Sequence, residues 1–186
     1  MKSTIVNFFG APGGGKTTGA LFVSSELKAL GYSAEYVSEF AKDIIWQEHK
    51  ELFKVPENQF FIGANQFYRM NSLIGKVKIV VTDSPLLLST IYNHSELLGD
   101  KYNEFIYDLY LKKFDGINFL VDRRFCPYDS NGRNETAREA EQIHAKIREL
   151  LDQLHVRYCI ISGSKSGYES AFRVVERSLK EVDEYK

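Results

Sequence analysis

The stretch that most limits what this chain can become is Gly10-Ala11-Pro12-Gly13-Gly14-Gly15-Lys16-Thr17-Thr18, which follows directly on the apolar run Thr4–Phe9. It meets G-x-x-x-x-G-K-[ST] at every fixed position, with strand-like residues before it and a helix-like pattern after it. Main-chain N–H groups that converge on phosphate oxygens need a turn without obstructing side chains, and glycine also reaches backbone angles closed to other residues. A helix starting near Lys16 adds the positive end of its dipole. Lys16 can set a full charge against the terminal phosphates, and the Thr17 hydroxyl can ligate Mg²⁺. Gly10, Pro12, Gly13, Gly14, Gly15, Lys16, Thr17 and Thr18 are therefore expected to hold a nucleoside triphosphate. The plainer alternative is a glycine-rich turn that happens to contain Lys-Thr. The pattern leaves the fate of the γ-phosphate open, because kinases, GTPases, motors and sensors share it.

The rest of the chain repeats the same alternation. Short runs rich in Ile, Val, Phe or Tyr predict strands at Thr4–Phe9, Ala34–Val37, Lys78–Thr82, Ile117–Val121 and Tyr158–Ser162. Helical patterns cover Lys16–Leu30, Glu57–Leu73, Tyr102–Phe114, Glu135–Leu154 and Tyr168–Lys180, with Gly31 placed to cap the first. Repeated β-α order implies a parallel sheet with helices on both faces, and ligands at the carboxyl ends of its strands. No repeat or linker divides the chain, so the expectation is one domain over residues 1–186.

Bulk properties matter here for what they exclude. Of the 186 residues, 44% are apolar and 26% charged, enough for one sizeable core rather than a disordered chain. The net charge of −1 gives no overall field to attract nucleic acid or an anionic membrane, although a local patch is compatible with it. Cys126 and Cys159 have no metal-type spacing, and neither do His49, His94, His144 and His155. The first apolar run is soon interrupted by Gly10, and no stretch is long enough to span a bilayer, so the expected location is cytoplasmic.

Acidic residues at the ends of the other strands are the next candidates. Asp83 follows the third strand and could hold Mg²⁺ together with Thr17, or it could cap a following helix around Ser84-Pro85-Leu86. Glu39 follows the second strand and could orient an acceptor hydroxyl or take its proton, or it could satisfy free N–H groups at a helix start. Lys42 could pair with Glu39, contact phosphate or lie solvated on the surface. Gln59, Gln66 and Arg69 recur at near-helical spacing and could line an acceptor pocket, with Phe60 or Phe67 as a stacking surface; the aromatics read equally as core.

The polar segment after the fourth strand, about 122–135, carries Arg123, Arg124 and Arg133. Arginine supplies charge bidentately against a migrating phosphoryl group, and a closing lid excludes the water that would otherwise hydrolyse ATP. The alternative is an exposed basic loop paired with the acidic helix that follows it. Ser162–Gly167 is either an adenine-side loop or a simple turn.

Together these residues resemble the small P-loop kinases typified by the nicotinamide riboside kinase domain of NadR-type proteins, from Gly10 to about Gly163. Glu39-Phe40-Ala41-Lys42 resembles that family's Glu-aromatic-small-basic motif, with lysine in place of arginine. Gln66 matches a helix glutamine. Thr82-Asp83-Ser84-Pro85 keeps the first acid of an Asp-Thr-Asp strand end and has proline for the second. Pro127-Tyr128-Asp129-Ser130-Asn131-Gly132-Arg133 resembles the lid with altered spacing.

The resemblance implies an α/β three-layer P-loop kinase fold, with a five-stranded mainly parallel sheet, helices on both faces and an arginine-bearing lid. It implies ATP and Mg²⁺, with transfer of the γ-phosphoryl group to a hydroxyl of a nucleoside- or nucleotide-like acceptor. Lys16, Glu39, Asp83, Arg124 and Arg133 are then the catalytic set. Glu39, Lys42, Gln66 and Arg123 face the acceptor, and Thr17 and Asp83 take the metal. Two other readings stay open: a kinase acting on a hydroxyl in DNA or RNA, and a nucleotide-dependent ATPase switch.

Overall fold

The computed structural model describes residues 2–122 and 137–184 of the chain. Five strands, β1 (Thr4–Phe9), β2 (Ala34–Val37), β3 (Ile79–Thr82), β4 (Ile117–Asp122) and β5 (Cys159–Ser162), form one sheet in the order β2-β3-β1-β4-β5. Every pairing in it is parallel. The sheet expected to be mainly parallel is wholly so, with β1 at its centre.

Among the described residues, seven α-helices connect and cover the strands: α1 (Lys16–Ala29), α2 (Phe40–Trp46), α3 (Asn58–Asn71), α4 (Leu88–Ile91), α5 (Gly99–Leu109), α6 (Ala137–Gln153) and α7 (Lys165–Glu184). Strand alternation divides the core in two. Ile5, Phe9, Val80 and Leu120 face the layer that includes Met70, Tyr102, Ile106 and Ile147. Val6, Phe8, Val81 and Phe119 face the layer of Val23, Leu27, Ala171 and Val175. Both faces are thus dry, which is why the strands read as continuous apolar runs. Each such fully buried large side chain stabilises the fold by about 1.5–3 kcal/mol.

One polar residue interrupts β1. Asn7 is buried, and its Nδ2 donates to the Phe114 carbonyl and Asn118 Oδ1, each at 2.9 Å. Asn118 Nδ2 in turn donates to the Arg157 carbonyl at 2.9 Å, and the Tyr110 hydroxyl donates to Asn118 Oδ1 at 2.8 Å. This network fastens the lower part of the sheet to a π-turn at Tyr110–Phe114, which ends the helix begun by α5. The chain end of that helical stretch is thus wider than the α-helix expected through Phe114.

Helix α1 ends as expected at Gly31, whose φ of 84° admits a left-handed cap. The Tyr32 N–H donates to the Leu27 carbonyl and the Gly31 N–H to the Lys28 carbonyl, the paired bonds of a Schellman motif. A 3₁₀ turn (Lys50–Lys54) lies where no helix was expected, and two helices stand where a helix was raised only as an alternative: α2 directly after Glu39, and the single turn α4 after Pro85. Helix α7 starts three residues earlier than the pattern suggested, so Ser164 to Gly167 closes into its first turn.

Candidate functional site

The turn between β1 and α1 takes its shape from its glycines. Gly13 and Gly15 adopt φ values of 78° and 86°, where a Cβ would be strained. Gly15 caps α1 in the left-handed region, and the Gly14 N–H closes the turn onto the Ala11 carbonyl at 3.2 Å. Lys16 Nζ donates to that same carbonyl at 3.0 Å, folded over the loop. The N-cap of α1, Gly15, offers no side chain to cap it. The donors of its first turn have no acceptor within the helix and can turn to an anion.

This loop forms one end of a cavity of about 540 Å³. Pro12, Gly13, Gly14, Gly15, Lys16, Thr17 and Thr18 all line it. Gly10 does not line it: a Cβ there would sit 3.1 Å from the Val121 carbonyl oxygen, so this glycine lets the loop leave β1 tightly against β4.

Asp83, the residue after β3, lies against Thr17 behind the loop and does not itself line the cavity. The Thr17 hydroxyl donates to Asp83 Oδ2 at 2.5 Å, across 66 positions of chain. Asp83 is 1% exposed, and its Oδ1 has no hydrogen-bond partner among the described residues. A buried carboxylate oxygen without a donor is costly unless a cation or water meets it. Hydroxyl plus carboxylate is also the hard oxygen pair that Mg²⁺ takes. The capping alternative for Asp83 finds no bond: α4 has Leu87 at its N-cap with no side-chain capping bond, and Asp83 accepts from Thr17 on one oxygen while the other meets no described partner. Beside it, burial first and then the charge of Asp83 raise the Tyr36 hydroxyl well above its ordinary acidity range, so it stays protonated.

The far end of the cavity is built by α2, α3 and the segment after β3. Glu39 is the N-cap of α2, yet its side chain makes no capping bond. The Phe40 N–H goes instead to Gln66 Oε1 at 2.9 Å. Glu39, Lys42 and Gln66 all line the cavity, together with Gln59, Ser84, Ser89, Tyr92 and His94. Because a backbone N–H fixes which end of the amide is oxygen, the Gln66 Nε2 is assigned as a donor, and it is buried without a partner among the described residues. Ile45, Leu52, Phe53, Val55, Ile62 and Leu88 give the remaining wall an apolar surface.

Three readings of α3 need correction. Arg69 does not line the cavity: it pairs with Asp43, donates to Ser38 Oγ at 3.1 Å and lies over the Phe40 ring. Phe67 packs edge-on against Phe114 in the core cluster, and Phe60 points outward, 60% exposed. Neither is a stacking surface for an acceptor. The helix is two-sided, and the amides at positions 59 and 66, two turns apart, fall on the cavity side while Arg69 falls on the α2 side. His94 and Tyr92 at the rim had no sequence signal, since their placement depends on where the chain turns after α4.

Arg123, Arg124 and Arg133, with Cys126 and the rest of the expected lid after Asp122, lie outside the described residues. Among the described residues no helix is long and apolar enough to cross a membrane, and no group of three His, Cys, Asp or Glu residues is set to hold a metal ion.

A profile of the AAA domain family matches residues 5–167, from the first strand to the start of α7. The chain belongs to the AAA domain family. Among solved structures, NadR protein in complex with NR superposes with a TM-score of 0.71 at 15% identity, covering 94% of this chain and 51% of that one. NadR protein in complex with NAD and AMP-PNP gives a TM-score of 0.67 at 16% identity, covering 94% and 49%. At such identity the likeness is one of fold: this AAA domain has the fold of those P-loop proteins. The chain spans about half the length of the NadR chains that it matches. No curated protein matches it in sequence.

Proposed function

We propose that this chain is a kinase that moves the γ-phosphoryl group of ATP to a hydroxyl of a nucleoside- or nucleotide-like acceptor, acting as one catalytic domain. The observation that carries the proposal is the two-ended cavity. A phosphate cradle lies at one end, and a carboxylate, an ammonium and a buried amide donor lie at the other. A transferase needs room for an acceptor beside the phosphate, with polar groups to hold it in line, and this cavity offers both.

In this reading the amides of Gly13–Gly15 and the Lys16 ammonium hold the polyphosphate. Thr17 and Asp83 hold Mg²⁺, which when bound neutralises charge on the β- and γ-phosphates. Glu39 accepts a hydrogen bond from the acceptor hydroxyl and orients it, and Lys42 and Gln66 fix the rest of the acceptor. The protein then contributes position and electrostatics, and no covalent enzyme intermediate is required.

The likeness to NadR structures holding NR and AMP-PNP supports a nucleoside-like acceptor and an adenine nucleotide as first choices. The test is a panel of nucleosides, nucleotides, nicotinamide riboside and oligonucleotides incubated with terminally labelled ATP and Mg²⁺. Label appearing in a nucleoside or nucleotide is the expected result. Release of phosphate with no labelled product in any member would overturn the kinase reading in favour of a switch.

A further inference from the structure

Helix α7 reaches back to the phosphate loop through one side chain. The Tyr168 hydroxyl donates to the Gly15 carbonyl at 3.0 Å, linking positions 153 residues apart. The ring is 5% exposed and sits in a notch that only glycine can leave open: a Cβ on Gly19 would meet Tyr168 Cδ1 at 2.8 Å and Phe8 Cε1 at 2.9 Å. The same Gly15 carbonyl accepts the first helical bond of α1, from the Gly19 N–H at 3.0 Å. Two donors therefore fix its direction.

A trans peptide unit is planar, with its C=O and N–H pointing opposite ways. Holding the Gly15 carbonyl toward α7 and the body of α1 therefore holds the Lys16 N–H toward the cavity. Lys16 itself lines that cavity. Drawing on the carbonyl also polarises the peptide and strengthens the N–H as a donor.

We propose that Tyr168 is a positioning residue for the phosphate loop, setting the Gly15–Lys16 peptide for nucleotide without touching the nucleotide itself. The assignment rests on the reading of that loop as a triphosphate site. It gives the last strand-helix unit a role at the site, although none of its described residues lines the cavity.

The test is Tyr168→Phe, which keeps the ring in its notch and removes one hydroxyl. Binding of AMP-PNP with Mg²⁺ and its displacement by tripolyphosphate are measured by calorimetry for both proteins, with the melting temperature alongside. A lost neutral hydrogen bond predicts affinity weaker by about three- to tenfold. Because the effect acts through the phosphate cradle, the factor should be the same for AMP-PNP and for tripolyphosphate. Equal affinities in the two proteins, or a loss confined to AMP-PNP, would overturn the assignment, the second by making Tyr168 a contact of the base. Failure of the unaltered chain to bind AMP-PNP would instead strike the triphosphate reading of the loop.

Discussion

Thr17 and Asp83 meet at 2.5 Å, the hydroxyl at the start of α1 donating to one carboxylate oxygen at the end of β3 while the other stays buried and unmatched among the described residues. The pair exists because β3 lies beside β1 in parallel register, Asn7 opposite Thr82, so the residues following both strands emerge side by side. Asp83→Asn keeps the shape and the acceptor for Thr17 but removes the negative charge. The expected outcome is loss of the Mg²⁺-dependent part of AMP-PNP affinity and a fall in phosphoryl transfer of about 10²-fold or more. Titrating Mg²⁺ against fixed nucleotide checks it, and an unchanged Mg²⁺ dependence would remove Asp83 from the metal site.

Lys16→Ala should lower transfer by at least about 10²-fold, the scale of losing one preorganised charge-stabilising donor. The fold should survive, because the lysine side chain belongs to neither core layer and its bond to the Ala11 carbonyl is only partly buried. Steady-state transfer measured with circular dichroism separates the two effects. Full activity in this variant is incompatible with Lys16 in the cradle.

Glu39 and Gln66 line the same compartment but should fail differently. Glu39→Gln is expected to cut turnover while leaving ATP affinity within about twofold, since only the acceptor hydroxyl loses its partner. Gln66→Ala removes the Oε1 that caps the Phe40 N–H as well as a cavity donor. It should raise the acceptor KM and also destabilise the protein by about 1–3 kcal/mol. Urea unfolding beside kinetics distinguishes them: stability loss in Glu39→Gln comparable to Gln66→Ala would make Glu39 structural.

Tyr36, Tyr102 and Tyr110 all have hydroxyls pushed above their ordinary value of 10.0, in each case chiefly by burial. Their protonated forms are favoured by the fold. The stability this contributes is fully present below pH about 10 and is lost as pH rises beyond it, because the unfolded chain then releases protons that the native one retains. Absorbance of the phenolate should therefore show these tyrosines ionising together with alkaline unfolding rather than before it. Tyr36→Phe should flatten the fall in stability above pH about 10, and an unchanged slope would mean that Tyr36 titrates freely.

How much of this could be read in advance follows local signals. The Gly13–Thr18 cradle and the five strands depend on residues adjacent in sequence, and the Gly31 cap on a single left-handed position, so all were legible. Helix α2 was not, because its seven residues span only about two turns and its start is fixed by Gln66, 26 positions away. Arg69 was misplaced for a related reason: spacing puts it within reach of the cavity face, but Asp43 and the Phe40 ring on α2 claim it. Asp83 could be placed by strand order, whereas the burial of its second oxygen without a described partner depended on how the chain packs around it.

Because β2 is the edge strand and β3 the one beside the centre, the whole excursion from Ser38 to Lys78 hangs off one side of the sheet. The groups proposed for the acceptor come mostly from that excursion, and those proposed for the triphosphate from β1, α1 and the end of β3. The two halves of the site are thus separate pieces of chain. Descendants of such a protein could exchange one acceptor for another by rewriting a single loop-and-helix insert, with the energy-supplying half left as it is.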